Sequence, residues 1–284
     1  MLDASNAPMI QSAVTISLVP EARGGPFVFW GDLPQNCVKA SAKGFNAVEI
    51  FPRSPDEIDA KELSHLLRDH NLKLAAMGTG AGWVVHKLRL TDPSPGVRAR
   101  ARDFVSSVID FAAAFGAPTI VGSMQGRWEA DVSREQAIEW LREALDSLGL
   151  RAHAAGVPLF FEHLNRYETN LANTVAQGLE LLAPLRTKNV KLLCDLFHMN
   201  IEEEDVAGSL LEAGSTLGHI HFADTNRRAI GYGHLDVRPV ATALRRIGYS
   251  GFVSAEVLPL PDGDSAASQT MRAFNQFFGG DHSC

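Results

Sequence analysis

Eight short runs rich in apolar and β-branched residues recur along the whole chain, and longer amphipathic segments separate them. The runs are Val14–Val19, Ala47–Phe51, Leu72–Met77, Thr119–Gly122, Pro158–Glu162, Val190–Asp195, His219–Ala223 and Phe252–Val257. Each is too short for an independent helix. Several are apolar almost throughout, as strands buried on both faces must be. Helical patterns lie between them, among others Pro95–Phe115, Arg134–Ala155, Asn173–Leu185 and Val237–Ile247. In the first of these Phe104, Val108, Phe111 and Phe115 fall at three- and four-residue spacing, the stripe of a helix packed on a sheet. Gly44, Gly116, Gly156 and Gly248 each stand after a helical pattern and before a strand, where a helix-terminating glycine belongs. Asp131, or Ser133 just after it, and Asp236 are the expected N-caps of the helices they precede.

Eight βα units in 284 residues fit a closed parallel (β/α)8 barrel better than an open doubly wound sheet. The open sheet would call for a Gly-rich phosphate turn after the first strand, and no GxGxxG is there. No linker, low-complexity tract or charge block divides the chain, so residues 1–284 read as one domain, with 1–11 a loose N-terminal extension.

Composition narrows the partners. The 26 basic and 33 acidic side chains leave a net charge of −7, which argues against a nucleic acid held by bulk charge. No run approaches the roughly 18 apolar residues of a membrane span, and the N-terminus lacks the basic-then-apolar pattern of a secretory signal. Cysteines 37, 194 and 284 show no CxxC spacing, so a reducing cytoplasm is the expected compartment.

In a barrel of this kind the chemistry sits at the C-terminal ends of the strands. The fifth run ends on Glu162; the sixth ends on Asp195, with His198 three residues on; the seventh carries His219, His221 and Asp224; Glu256 lies at the end of the eighth. An acid that follows a buried apolar run is costly unless it is paired. Any one of these alone reads as a strand-end residue paired with a nearby Lys or Arg, but four together would need several buried cations, and the apolar runs supply few. A divalent metal is the simpler relief. Glu162, Asp195, His221 and Glu256 form a three-oxygen, one-nitrogen set suited to Mn²⁺, Mg²⁺ or Co²⁺, with Zn²⁺ also able to take it. His219 points to the same side of its strand as His221. Spacing alone does not choose between them, although His221 lies nearer the catalytic end.

The segments EHLNRYE (162–168), CDLFHMN (194–200), GHIHFADTNR (218–227) and GYSGFVSAE (248–256) resemble the sugar-phosphate isomerase/epimerase superfamily, the xylose isomerase-like TIM barrels. Within it the sequence is most similar to the D-tagatose and D-psicose 3-epimerase branch. The resemblance implies a TIM barrel over essentially the whole chain and a metal held by Glu162, Asp195, His221 and Glu256, with Mn²⁺ the foremost candidate. It selects His221 over His219. It also implies that His198 and Arg227 hold substrate oxygens near the reacting carbons, that Glu168 contacts the carbonyl end, and that the protein self-associates as a dimer or tetramer. His163 stands where a proline or a small apolar residue is more usual, and Gly78–His86 matches no characterised pocket segment.

The chemistry expected of such a site is proton transfer next to a carbonyl in a sugar or keto acid, by an isomerase or epimerase. Glu162 and Glu256 would divide the proton work while the metal stabilises an enediolate. The same enolate can instead expel a β leaving group, so a metal-dependent lyase or dehydratase is the alternative reading. Asn165 and Arg166 are expected to orient the carboxylates from behind, with an Arg166 ion pair to Glu168 or Glu162 as the plainer option. Trp30, Trp83 and above all Trp128 are candidates for a ring covering the sugar's carbon face. The loop NRRAIGYGHLD (226–236) is either a cover for the site or a turn into the next helix. Arg228 and His234 could meet a phosphate, but with no phosphate-holding turn an unphosphorylated substrate is favoured.

Overall fold

A computed structural model of the chain describes residues 9–129 and 132–279. The strands are β1 (Gln11–Ser17), β2 (Phe29–Trp30), β3 (Ala47–Phe51), β4 (Lys73–Gly78), β5 (Thr119–Val121), β6 (Leu159–Glu162), β7 (Val190–Asp195), β8 (Leu217–His221) and β9 (Phe252–Ala255). All pairings between them are parallel. β1, β3, β4 and so on to β9 follow one another in sequence order, and β1 pairs with β9 through Gln11–Val14 to close an eight-stranded barrel. The two-residue β2, which the sequence pattern does not show, pairs only with Ile16 and Ser17 of β1, on the edge that β9 has left. Its brevity leaves no periodicity to detect.

Several strand ends differ from expectation. β1 starts at Gln11, whose N–H donates to the Gly251 carbonyl at 3.1 Å, so the loose extension expected over 1–11 does not reach that far. β8 runs Leu217–His221 rather than His219–Ala223, because Ala223 leaves the ladder and pairs antiparallel with Ala229. The helices keep to their patterns: Pro95–Ala113, Arg134–Ala154, Val175–Leu182 and Val237–Arg246. Ser133 caps the second by accepting from the Gln136 N–H at 3.2 Å; Asp131 lies outside the described residues. Asp236 caps the fourth, accepting from Arg238 N–H at 3.1 Å.

Register decides which side chains share the barrel interior, because directly paired residues of parallel strands point the same way. Thr15 pairs with Glu49, Glu162 with Leu193, Leu193 with His219, and Asp195 with His221. One interior layer holds Ala76, Ile120, Phe160 and Leu193 as a small apolar cluster apart from the main core. The main core lies between the sheet and the helix ring, around Ile16, Ile50, Val121, Phe161 and Leu192 on the strands and Val105, Ile109, Leu141 and Leu148 on the helices. The upper interior layer is polar.

Gly44, Gly116, Gly156 and Gly248 all have positive φ, from 66° to 86°, as helix-ending glycines do. A Cβ on Gly116 would meet nothing within 4 Å. Gly116→Ala should therefore cost only the left-handed backbone penalty of about 1 kcal/mol. Urea unfolding should show a lower midpoint with unchanged slope.

Candidate metal centre and substrate cavity

Glu162, Asp195 and His221 end their strands, and Glu256 follows β9 directly. All four are buried, none more than 6% exposed. One potential ligand atom from each lies within 4.8 Å of the others. His221 Nδ1 is the hub, 3.4 Å from Glu162 Oε1, 3.6 Å from Asp195 Oδ2 and 3.5 Å from Glu256 Oε2. Glu162 Oε1, Asp195 Oδ2 and His221 Nδ1 are buried and make no hydrogen bond. Unsatisfied atoms of this kind are costly singly. Three aimed at one point, with a Glu256 oxygen beside them as the fourth atom, fit a divalent cation by donor type and convergence.

The electrostatics are lopsided. Burial raises the Glu162 carboxyl above its ordinary range. Burial pushes Glu256 the same way, but His221 and Arg227 outweigh it and hold that carboxyl low. Burial likewise works against ionised Asp195, and His198, His221 and Arg227 overcome it. The Arg227 guanidinium donates to Glu256 Oε2 at 2.9 Å and to Glu168 Oε1 at 3.2 Å, and lies 4.9 Å over the Phe197 ring. Its backbone sits at φ 58°, a conformation uncommon outside glycine. Two backbone bonds fix it there: Arg227 N–H to Asp224 O and Leu258 N–H to Arg227 O, both 2.8 Å.

His198 is fully buried, with Nε2 3.9 Å from Glu162 Oε1 and 3.7 Å from Asp195 Oδ2. The Asn165 amide donates to His198 Nδ1 at 2.7 Å and to Glu168 Oε1 at 3.2 Å, while its carbonyl accepts from the Tyr167 N–H at 3.0 Å. Nδ1 therefore accepts, and the ring's proton sits on Nε2, facing the cluster. Asn165 thus supports both His198 and Glu168. Arg166 does not orient the ligand carboxylates, and neither Glu162 nor Glu168 is its partner. It turns outward to Glu202, with Nε to Oε1 at 2.9 Å and Nη2 to Oε2 at 3.0 Å, where exposure lets its charge stay hydrated.

A cavity of about 310 Å³ opens over the cluster, with Glu162, Glu256, Arg227 and Glu168 in its lining. Its apolar wall is Val19, Phe27, Phe51, Ala81, Val84, Ile120 and Leu164. Trp128 is not part of it. The strand-to-helix segment carrying Trp128 is tied sideways to Asn170 by two backbone–amide bonds of 3.0 Å, which places its ring outside. Trp30 and Trp83 also stay outside the lining; the rings that enter are Phe27 and Phe51, and Phe27 packs on Trp30 and Phe51 at centroid distances of 5.3 and 4.5 Å. Arg228 lies 4.9 Å over Tyr232 and, like His234, does not reach the cavity.

Three features are not evident from the sequence pattern. Glu49, fully buried on β3, accepts from His219 Nε2 at 2.6 Å and His221 Nε2 at 3.1 Å. An acid in the middle of the run AVEIF, and not at its end, is the signal that would have found it. Gly122 leaves room for the Glu162 head: a Cβ there would lie 2.4 Å from Oε2. Asp224 turns out to be a staple. Its carboxylate accepts from the N–H groups of Thr225, Gly231, Gly233 and Leu235 at 2.8–3.0 Å, and a Cβ on Gly233 would strike it at 2.2 Å. The segment 226–236 is thereby pinned, which leaves the turn reading and not the cover.

The chain matches the family model described as Xylose isomerase-like TIM barrel over residues 37–276. It is similar to the D-psicose 3-epimerase of Agrobacterium fabrum, 30% identical over 222 residues, covering 77% of this chain and 76% of that one. It is equally similar to the L-ribulose 3-epimerase of Methylomonas sp., 30% identical over 236 residues, with 82% and 80% covered. Among solved structures, a D-allulose 3-epimerase from Methylomonas sp. superposes with a TM-score of 0.81 at 25% identity, covering 95% of this chain and 98% of the other.

Burial raises the Asp224 carboxyl, but its four backbone donors overcome that and hold its pKa below the ordinary Asp value. A depressed folded pKa stabilises the fold above the unfolded value and loses that contribution as pH falls through the folded one. Asp224→Ala should cost roughly 3 kcal/mol at pH 7, a gap that narrows below about pH 4. Urea unfolding of both proteins in chelator at pH 7 and pH 3 checks this.

Proposed function

The chain belongs to the xylose isomerase-like TIM barrel family, and on that footing we propose that it is a metal-dependent ketose 3-epimerase acting on an unphosphorylated sugar. The observation that carries this reading is the convergence of unsatisfied Glu162, Asp195 and His221 atoms, with Glu256, on one point beneath a cavity of about 310 Å³. Glu162, Asp195, His221 and Glu256 would hold the ion. A three-oxygen, one-nitrogen donor set suits Mn²⁺, Mg²⁺ or Co²⁺, with Zn²⁺ also able to take it, and the resemblance to the 3-epimerases puts Mn²⁺ first.

A proton next to a ketone is too weakly acidic to leave unaided at neutral pH. A divalent cation held by the cluster supplies electrostatic stabilisation to negative charge growing on the substrate's oxygens. The chain's own residues do the rest. One of Glu162 and Glu256 takes the proton from carbon, and the electron pair of the broken C–H bond forms the C=C bond as the carbonyl pair moves onto oxygen to give the enediolate. The other carboxyl returns a proton to the opposite face of the same carbon. The reverse reaction exchanges the two roles. His198, with Nε2–H directed into the cluster, would donate to an enediolate oxygen, and Arg227 would supply fixed positive charge beside it. Glu168, held by Asn165 and Arg227, would accept from a hydroxyl near the carbonyl end. The wall of Phe27, Phe51, Val84 and Leu164 would cover the sugar's carbon face and keep water away from the reacting carbon.

The test is ¹H NMR of the Mg²⁺-loaded protein in D₂O with free ketoses. Deuterium entering at C3, with both 3-epimers appearing and no group lost, is the expected result. Loss of water would make the enzyme a lyase, and deuterium at C1 alone an aldose–ketose isomerase.

Glu256→Gln should keep the barrel's circular dichroism and lower kcat by about 10²–10⁴-fold. Full activity in that variant, with metal still bound, would overturn the two-carboxylate scheme.

A further inference from the structure

We propose that Glu49 is a positioning residue: it fixes the His221 ring so that Nδ1 faces the metal position, and thereby sets how tightly the ion is held. The inference rests on the metal-dependent reading given above.

The geometry is that of one carboxylate shared between two imidazoles. Glu49 sits one layer below the mouth on β3, separated from β8 round the barrel by β9 and β1, and has no exposure. Oε1 faces His221 Nε2 at 3.1 Å and Oε2 faces His219 Nε2 at 2.6 Å. A charged carboxylate only accepts, so each ring must carry its proton on Nε2. For His221 this has one consequence at the other end of the ring. With Nε2–H committed to Glu49, Nδ1 is the nitrogen left to face Glu162, Asp195 and Glu256, where a bound cation would take its lone pair. A carboxylate behind a ligating imidazole also raises the basicity of the nitrogen in front.

His219 anchors the anchor. Its ring stacks on Phe160, with centroids 5.5 Å apart and planes at 20°, and its Nδ1 is buried without a partner. A histidine in that state contributes one useful group, the Nε2–H that holds Oε2 of Glu49 in place. Phe160, His219 and Leu193 all face the barrel interior, so the carboxylate cannot swing toward water. The triad Glu49, His219 and His221 also has metal-ligand composition in its own right. Its 2.6 Å contact is a formed hydrogen bond, however, whereas Glu162 Oε1, Asp195 Oδ2 and His221 Nδ1 of the upper cluster lack partners. The lower group is therefore the support and the upper group the site.

Glu49→Gln tests the assignment. The amide can accept from only one ring, and its N–H₂ needs an acceptor nitrogen from the other, so the tautomer of His221 is no longer enforced. Mn²⁺ affinity of the purified protein, read without substrate from the electron paramagnetic resonance signal of free Mn²⁺, should fall about 10–100-fold. The melting temperature in chelator reports on folding separately. His219→Phe keeps the ring against Phe160 and removes the donor, and should weaken Mn²⁺ binding by less than Glu49→Gln does.

Equal Mn²⁺ affinity in wild type and Glu49→Gln would overturn the inference, as would a larger loss in His219→Phe. Should Glu49→Gln fail to fold, ¹⁵N shifts of the histidines in wild type loaded with Mg²⁺ decide the matter. A proton on His221 Nε2 supports the inference, and a proton on Nδ1 overturns it. Failure of wild type to bind any divalent ion would instead remove the premise, namely the metal-dependent reading itself.

Discussion

Three carboxylates with oxygens inside one 4.8 Å cluster, sealed at the mouth of an apolar barrel, repel one another too strongly to be left without positive charge. Two unit charges 4 Å apart are worth about 4 kcal/mol even at the effective dielectric of a protein surface. Much of the surrounding structure answers that constraint. Arg227 brings a guanidinium over Glu256 at the expense of a left-handed backbone, and Asp224 holds the segment that carries it with four backbone bonds. His221 stands at the centre of the acids, and Glu49 secures it from below. Remaining demand falls on a cation.

The sequence displays the residues that end strands and hides those whose role depends on neighbours across the barrel. Glu162 and Asp195 each close an apolar run, so the pattern of the chain alone puts them at the rim; His221 lies inside its run, His219–Ala223, and the resemblance, not the spacing, selects it over His219. The barrel itself is legible because eight runs, their helices and the glycines between them all agree. Glu49 is hidden because an acid inside a strand has no meaning apart from the β8 histidines it faces across the interior. Gly122 and Asp224 act through space and backbone, which composition does not record. Arg166 pairs with Glu202, a residue at the end of the helix after β7, a proximity no local spacing reveals.

The aromatic expectation fails for a related reason. Tryptophans near strand ends look like sugar platforms in one dimension, yet none of the three lines the cavity, and Trp128 is tied sideways to Asn170. Phe27 enters instead, from the connection after β1, where nothing in the sequence marks it as aimed inward. His163 is a different case: the ring is fully buried, burial lowers its pKa to about 4, and both nitrogens lack partners. It packs as a neutral ring beside Gly178.

The cavity also divides the chain by origin. Most of its wall, from Val19 through Phe27, Phe51 and Val84 to Ser123, comes from the first half, while every candidate ligand comes from the second, between Glu162 and Glu256. The apolar wall and the ligand set thus come largely from separate stretches of the chain, joined by Glu49 reaching across to His221 and Gly122 making room for Glu162. A substitution in the first stretch can therefore reshape the wall and leave the ligand set in place.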